Sequence, residues 1–153
     1  MARADVALSL IHVNDGEDRA MADRPTTGVT PFLTVRDRRG REALAFYEKA
    51  FGAAVVERNV AEDGERLMQA SLRINGGWVM LSDEFPEWTG RAAPPPEGVT
   101  LHLQVDDADR WAARAVAAGA VLTMPVAAQF WGDRYGQVVD PFGHRWSIGS
   151  PVR

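Results

Sequence analysis

The chain has 153 residues, a formal net charge of −4 and no cysteine. A chain of that length is one domain by the usual size prior, and the missing thiols exclude structural disulfides, zinc ribbons, thiol nucleophiles and iron–sulfur clusters. Apolar residues at 46% and charged residues at 25% are an ordinary globular balance, and the acidic excess argues against nucleic acid as the main ligand.

Residues 1–27 read as an N-terminal extension. The apolar run Val6–Val13, which holds His12, is short and follows Asp5, unlike a signal peptide. It is expected to be either a disordered tail or an added edge strand. Residues 14–27 are polar and without period, as in a linker. The longest uncharged stretch, Ala115–Gly132, reaches the rough minimum of about 18 residues for a membrane span. Gly119, Thr123, Pro125 and Gln129 interrupt it, so it reads as a helix end, a turn and a strand. The expectation is a cytoplasmic protein with no membrane partner.

The informative feature is an internal repeat. Gly28-Val-Thr-Pro-Phe-Leu-Thr-Val35 matches Gly98-Val-Thr-Leu-His-Leu-Gln-Val105. After each copy a helix is expected. Arg41–Phe51 carries Leu44, Tyr47 and Phe51 at helical spacing, and Asp109–Ala118 places Trp111, Ala112, Ala115 and Val116 on one side. Each ends at a Gly-Ala pair, 52–53 and 119–120, where glycine can take a left-handed cap. Three short strands then follow in each half: 55–59, 66–73 and 78–82, then 121–125, 134–139 and 145–149. The result is an α+β fold of two βαβββ modules, 28–83 and 98–150, joined by the Pro-rich linker 84–97.

Strand alternation assigns faces. Val29, Leu33 and Val35, with Val99, Leu101, Leu103 and Val105, should lie beneath the helices. The opposite faces carry Thr30, Phe32 and Thr34, Thr100, His102 and Gln104, Trp78, Met80 and Ser82, and Arg145 and Ser147. From the third strands, Leu67, Gln69 and Ser71, and Arg134, Gly136 and Val138, are expected on this uncovered side. Two curved mixed sheets with such faces should enclose a cleft for a small molecule.

Paired βαβββ units with Phe46-Tyr47-Glu-Lys-Ala-Phe51-Gly52 in one and Asp140-Pro141-Phe142-Gly143-His144 in the other resemble the vicinal oxygen chelate superfamily. That group includes glyoxalase I, extradiol dioxygenases, fosfomycin-resistance enzymes and bleomycin-binding proteins. Val79-Met-Leu-Ser-Asp-Glu84 and Gln129-Phe-Trp-Gly-Asp-Arg-Tyr-Gly136 resemble its PhnB-like branch. The resemblance covers residues 28–150. It implies four metal-ligand positions, usually His and Glu, which fall at Thr30, Met80, Thr100 and Ser147. Hydroxyls and a thioether do not hold a divalent ion by themselves, and the histidine frequent in the third strand of the PhnB-like branch is Gln69 here. No metal and no other cofactor is therefore expected at the usual site.

The candidate ligand-binding residues are Thr30, Phe32, Gln69, Trp78, Met80, Thr100, His102, Trp131, Arg134 and Ser147. His102 is a candidate proton-transfer group or a hydrogen-bonded structural residue. Arg134 either meets an anionic ligand oxygen or pairs with Asp133, Asp140 or Glu84. Asp83 and Glu84 are either a carboxylate base at the rim or a solvated loop. Trp131, Trp78 and Phe130 offer stacking surfaces. His144 reads as structural. Ser82 and Ser147 have no histidine and acid at recognisable spacing, so a catalytic triad has no support.

The leading expectation is a metal-free small-molecule binding protein, for sequestration or resistance, built as a homodimer. The alternative is an enzyme of the same superfamily, a lyase, isomerase or dioxygenase-like protein, with proton transfer by His102 or a displaced metal site. A non-catalytic subunit is a third reading.

Overall fold

The computed structural model describes residues 24–152. The readings of His12 and Val6–Val13 lie outside them. The first half runs β1 (Phe32–Val35), α1 (Gly40–Phe51), β2 (Ala54–Val60), β3 (Leu67–Ile74) and β4 (Gly77–Asp83). A helical turn, α2 (Pro86–Thr89), follows. The second half runs β5 (Thr100–Gln104), α3 (Ala108–Ala118), β6 (Val121–Ala128), β7 (Asp133–Val139) and β8 (Arg145–Pro151). The two four-stranded sheets have the same order, β1-β4-β3-β2 and β5-β8-β7-β6. In each, the first strand is parallel to the last and the other neighbours are antiparallel. Among the described residues no helix is long and apolar enough to cross a membrane.

Each helix starts against the last strand of its own half. α1 has no side-chain N-cap. Asp83 at the end of β4 instead accepts Gly40 N–H at 2.8 Å, and its other oxygen accepts Leu67 N–H at 2.7 Å. A Cβ at position 40 would lie 2.8 Å from Asp83 Cγ, so only glycine fits there. In the second half Ser150, at the equivalent point of β8, accepts Ala108 N–H at 3.0 Å, and Asp107 caps the helix through Arg110 N–H. α1 closes on Gly52 at φ 64, a left-handed conformation that costs other residues free energy.

Alternation places Leu33, Val35, Val79 and Leu81 of the first sheet, and Leu103, Trp146 and Ile148 of the second, in one shared core. Val29 and Val99 depart from expectation: they are 100% and 71% exposed, because the strands begin only at Phe32 and Thr100. Leu67, assigned to the uncovered side, is buried in the core. Val116 is exposed, and α3 instead buries the small side chains Ala108, Ala112 and Ala115. Against that alanine stripe α1 presents Phe46, Tyr47 and Phe51. Phe51 lies 4.8 Å from Trp146 and Phe46 lies 5.9 Å from Phe142, ring to ring.

A buried carboxylate ties the halves together. Asp140 Oδ1 accepts Phe142 N–H and His144 N–H, which builds the turn before β8. Its Oδ2 accepts Trp146 Nε1–H at 2.9 Å and, from α1 of the other half, the Tyr47 hydroxyl at 2.5 Å. Two further contacts mirror each other. His144 Nε2 donates to the Thr34 carbonyl at 3.2 Å, and Asn75 Nδ2 donates to the Gln104 carbonyl at 2.9 Å. Thr34 and Gln104 hold matching places in the repeat. The end of β1 thus meets the turn before β8, and the end of β5 meets the turn before β4.

Burial, and next the Asp140 charge, push the Tyr47 phenol well above its ordinary 10.0. The unfolded chain gives up that proton at lower pH than the folded one. The associated stability is complete below about pH 10 and is lost as pH rises toward the folded value. Tyr47→Phe is expected to cost about 1.5–3 kcal/mol at neutral pH, the range for a hydrogen bond to a charged group. It should also flatten the alkaline fall in stability; urea unfolding of both proteins from pH 7 to 11 measures the two effects.

Candidate functional site

The faces opposite the helices carry the candidate chemistry. In the first sheet the register sets Phe32 beside Met80, Met80 beside Ser71, and Ser71 beside Glu57. The next row holds Thr34, Ser82, Gln69 and Asn59. Trp78 sits beside Arg73, whose guanidinium lies 4.3 Å from its ring centroid. In the second sheet Thr100, His102 and Gln104 pair with Arg145, Ser147 and Gly149. Ser147 and Gly149 pair in turn with Gln137 and Tyr135.

His102 is the organised centre of this second face. Ser147 Oγ lies 2.7 Å from its Nδ1, and Gln104 Oε1 lies 2.9 Å from its Nε2. With a carboxamide oxygen at Nε2, that nitrogen is the donor, and Nδ1 accepts the Ser147 hydroxyl proton. The ring stacks on Tyr135 at 6.1 Å and 17°. Trp131 meets Tyr135 edge-on at 5.5 Å, and Gln137 Nε2 donates to the Tyr135 hydroxyl at 3.0 Å. A Cβ at position 149 would come within 3.1 Å of both His102 Cε1 and Gln104 Oε1. Glycine there leaves the space in which the ring lies. The outcome is an aromatic ledge, Trp131–Tyr135–His102, edged by two carboxamides.

Ser147 does meet a histidine, contrary to the reading from spacing alone. The two residues are neighbours only because β5 and β8 are parallel partners. The third member is the amide of Gln104, not an acid, and Ser147 is 2% exposed. Its hydroxyl orients His102 and is not placed to attack a substrate.

Arg134 does not point to this face. The β7–β8 register puts Gln137 beside Ser147 and Val138 beside Trp146, so Arg134, Gly136 and Val138 lie on the helix side. Arg134 makes a two-pronged contact with Asp109 in the first turn of α3, at 2.7 and 2.9 Å. These hydrogen bonds hold the Asp109 carboxyl below the ordinary carboxylate range and raise the guanidinium. Tyr135 and Gln137 occupy the expected place of Arg134 and its neighbours. Asp83 is neither a base nor solvated; both its oxygens accept backbone N–H groups. Glu84 accepts Ala93 N–H at 3.0 Å within the linker.

The four positions of the resemblance fall as two pairs. Thr30 precedes β1 and Met80 lies on β4; Thr100 lies on β5 and Ser147 on β8. The roomiest of the described pockets, about 560 Å³, lies between the edges of β1 and β5 under Pro94, Pro95 and Pro96, and Phe32 alone of the ten candidates lines it. The other nine candidates line no wall of this pocket. Two threonines, a methionine and a serine whose hydroxyl is already bonded to His102 do not fit a divalent cation. Among the described residues no group of three or more His, Asp or Glu side chains is placed to hold one.

Residues 30–148 match the family model described as Glyoxalase/Bleomycin resistance protein/Dioxygenase superfamily. The uncharacterized protein Rv0887c of Mycobacterium tuberculosis is 43% identical over 147 residues, spanning 93% of this chain and 84% of that protein. Among solved structures, a glyoxalase-related enzyme from Fulvimarina pelagi is 26% identical with a TM-score of 0.63, over 81% of this chain and 88% of that one. A PhnB protein from Bacillus cereus is 17% identical with a TM-score of 0.61, over 81% and 99% of the two chains, a likeness of fold alone.

Gly149→Ala is expected to crowd the His102 ring and the Gln104 amide, each 3.1 Å from the added Cβ, and to shift them by a few tenths of an ångström out of their hydrogen bond. Nitrogen-15 spectra of the imidazole should then lose the single Nε2–H tautomer of the parent, whereas Arg134→Ala should leave it unchanged.

Proposed function

The chain belongs to the glyoxalase/bleomycin resistance protein/dioxygenase superfamily, and on that premise we propose that it binds a small organic molecule on its sheet faces without a metal at the superfamily's usual site. One observation carries this reading. Position 147, where the resemblance implies a metal ligand, holds a serine whose hydroxyl proton goes to His102. Both ring nitrogens of His102 are engaged, so the residue serves as an oriented, stacked wall, not a free base. Trp131, half exposed, and Tyr135 extend that wall for a planar ligand, with Gln104 and Gln137 for its polar edge. Sequestration or resistance is the role such a site suits, and the motifs 79–84 and 129–136 favour the PhnB-like branch.

The second reading is an enzyme, a lyase, isomerase or dioxygenase-like protein. The 2.7 Å contact of Ser147 with His102 favours it, because a ring with a fixed tautomer is poised for proton transfer once Gln104 lets go. An enzyme of this kind would show turnover with a bell-shaped pH profile.

Tryptophan fluorescence against a panel of planar aromatic antibiotics tests the first reading, beside elemental analysis of the purified protein. Saturable quenching that Trp131→Ala and His102→Ala weaken, with recovery of unaltered ligand, is the expected result. Stoichiometric zinc, nickel or iron on the purified protein overturns the metal-free site.

We also read the protein as a homodimer. The candidate residues of the two sheet faces do not share the pocket under Pro94, Pro95 and Pro96, and this suits closure by a two-fold mate that sets a second face opposite each. Sedimentation equilibrium should return twice the 16.8 kDa of the chain; a monomer at micromolar concentration would refute the pairing.

A further inference from the structure

The row Phe32–Met80–Ser71–Glu57 crosses the first sheet from its β1 edge to its β2 edge. Beside it the polar side chains satisfy one another. Asn59 Nδ2 donates to Gln69 Oε1 at 2.9 Å, and Gln69 Nε2 donates to Ser71 Oγ at 2.6 Å. Glu57 is the exception. Its Oε1 is paired with the guanidinium of Arg24, which arrives from the segment before β1. Its Oε2 is buried and, among the described residues, accepts no hydrogen bond. A carboxylate oxygen withdrawn from water without a donor is costly, and such groups call for an explanation.

We propose that Glu57 anchors a subsite for an organic cation with a flat apolar body, and that Arg24 occupies this subsite as a built-in substitute. The proposal rests on the reading of the sheet faces as the binding surface and names the ligand class for the first of them. An amidinium or guanidinium presents parallel N–H donors that match both oxygens of a carboxylate, and Arg24 engages Oε1 while Oε2 is left over. Met80 and the half-exposed Phe32, on the same row, supply the apolar floor for the ligand body. The other cation of this face, Arg73, is committed to the Trp78 ring and to the Gly76 carbonyl at the hairpin end. A cationic ligand therefore competes with Arg24 for Glu57.

Calorimetric titration of the full chain with benzamidine, and with its neutral isostere benzamide, tests this. The parent protein should prefer benzamidine. Arg24→Ala should raise benzamidine affinity by about threefold to fivefold, the scale of a partly exposed ion pair, and leave benzamide unchanged. Glu57→Gln should abolish the preference. If Arg24→Ala leaves benzamidine affinity as it was, or if Glu57→Gln keeps the preference, the subsite is refuted; Arg24 is a partly exposed residue whose removal leaves the core intact, so that arm does not depend on refolding. Benzamidine binding that Trp131→Ala removes and Glu57→Gln does not would refute the subsite while leaving the second-sheet ledge standing.

Discussion

The fold turns on one buried carboxylate. Asp140 accepts four hydrogen bonds, two from its own turn, one from Trp146 and one from Tyr47 in the other half. A buried anion is tolerated only when its lone pairs are filled, and here the set is filled only when both halves are docked. The rings around it, Phe46, Phe51, Phe142 and Trp146, then pack at edge and tilted angles that seat α1 against β8 and the turn before it.

Much of this architecture is legible in the residues. The repeat of Gly28–Val35 in Gly98–Val105 carries the topology, because two matching strands followed by matching helices leave few ways to build a sheet. Strand ends are less legible. Val29 looks like the first inward residue of β1, yet Pro31 has no N–H to enter a ladder, and the strand starts one residue later. Arg134 shows a different limit. Alternation gives the relative sides of neighbours within a strand, but not which side faces the core, and Gly136 and Val138 offered little contrast with Tyr135 and Gln137. Only the pairing of Val138 with Trp146 decides it. The contact of His102 with Ser147 was likewise beyond local spacing, since it crosses two strands 45 residues apart.

The site chemistry follows from a substitution of roles. At the four positions where the resemblance implies imidazole and carboxylate, the sequence carries Thr30, Met80, Thr100 and Ser147. The imidazole it does have lies two residues along the same strand face, braced by serine, carboxamide and glycine. Such bracing trades reactivity for shape. Both nitrogens of the ring are engaged and its face lies against Tyr135.

The mirrored pair His144 to Thr34 and Asn75 to Gln104 has a further consequence. Contacts that exchange under a two-fold operation are what a dimer of single units would make across an isologous interface. Fusion of two copies into one chain lets each member of such a pair drift independently, since neither has to serve both sides. Histidine makes the contact in one tip and asparagine in the other, from places that do not match in the register. Asp140 is the stronger case: the register equates Val139 with Arg73, so the place of this carboxylate in the first half falls to Ile74, an apolar core residue, and the polar centre of the core is supplied by one half alone.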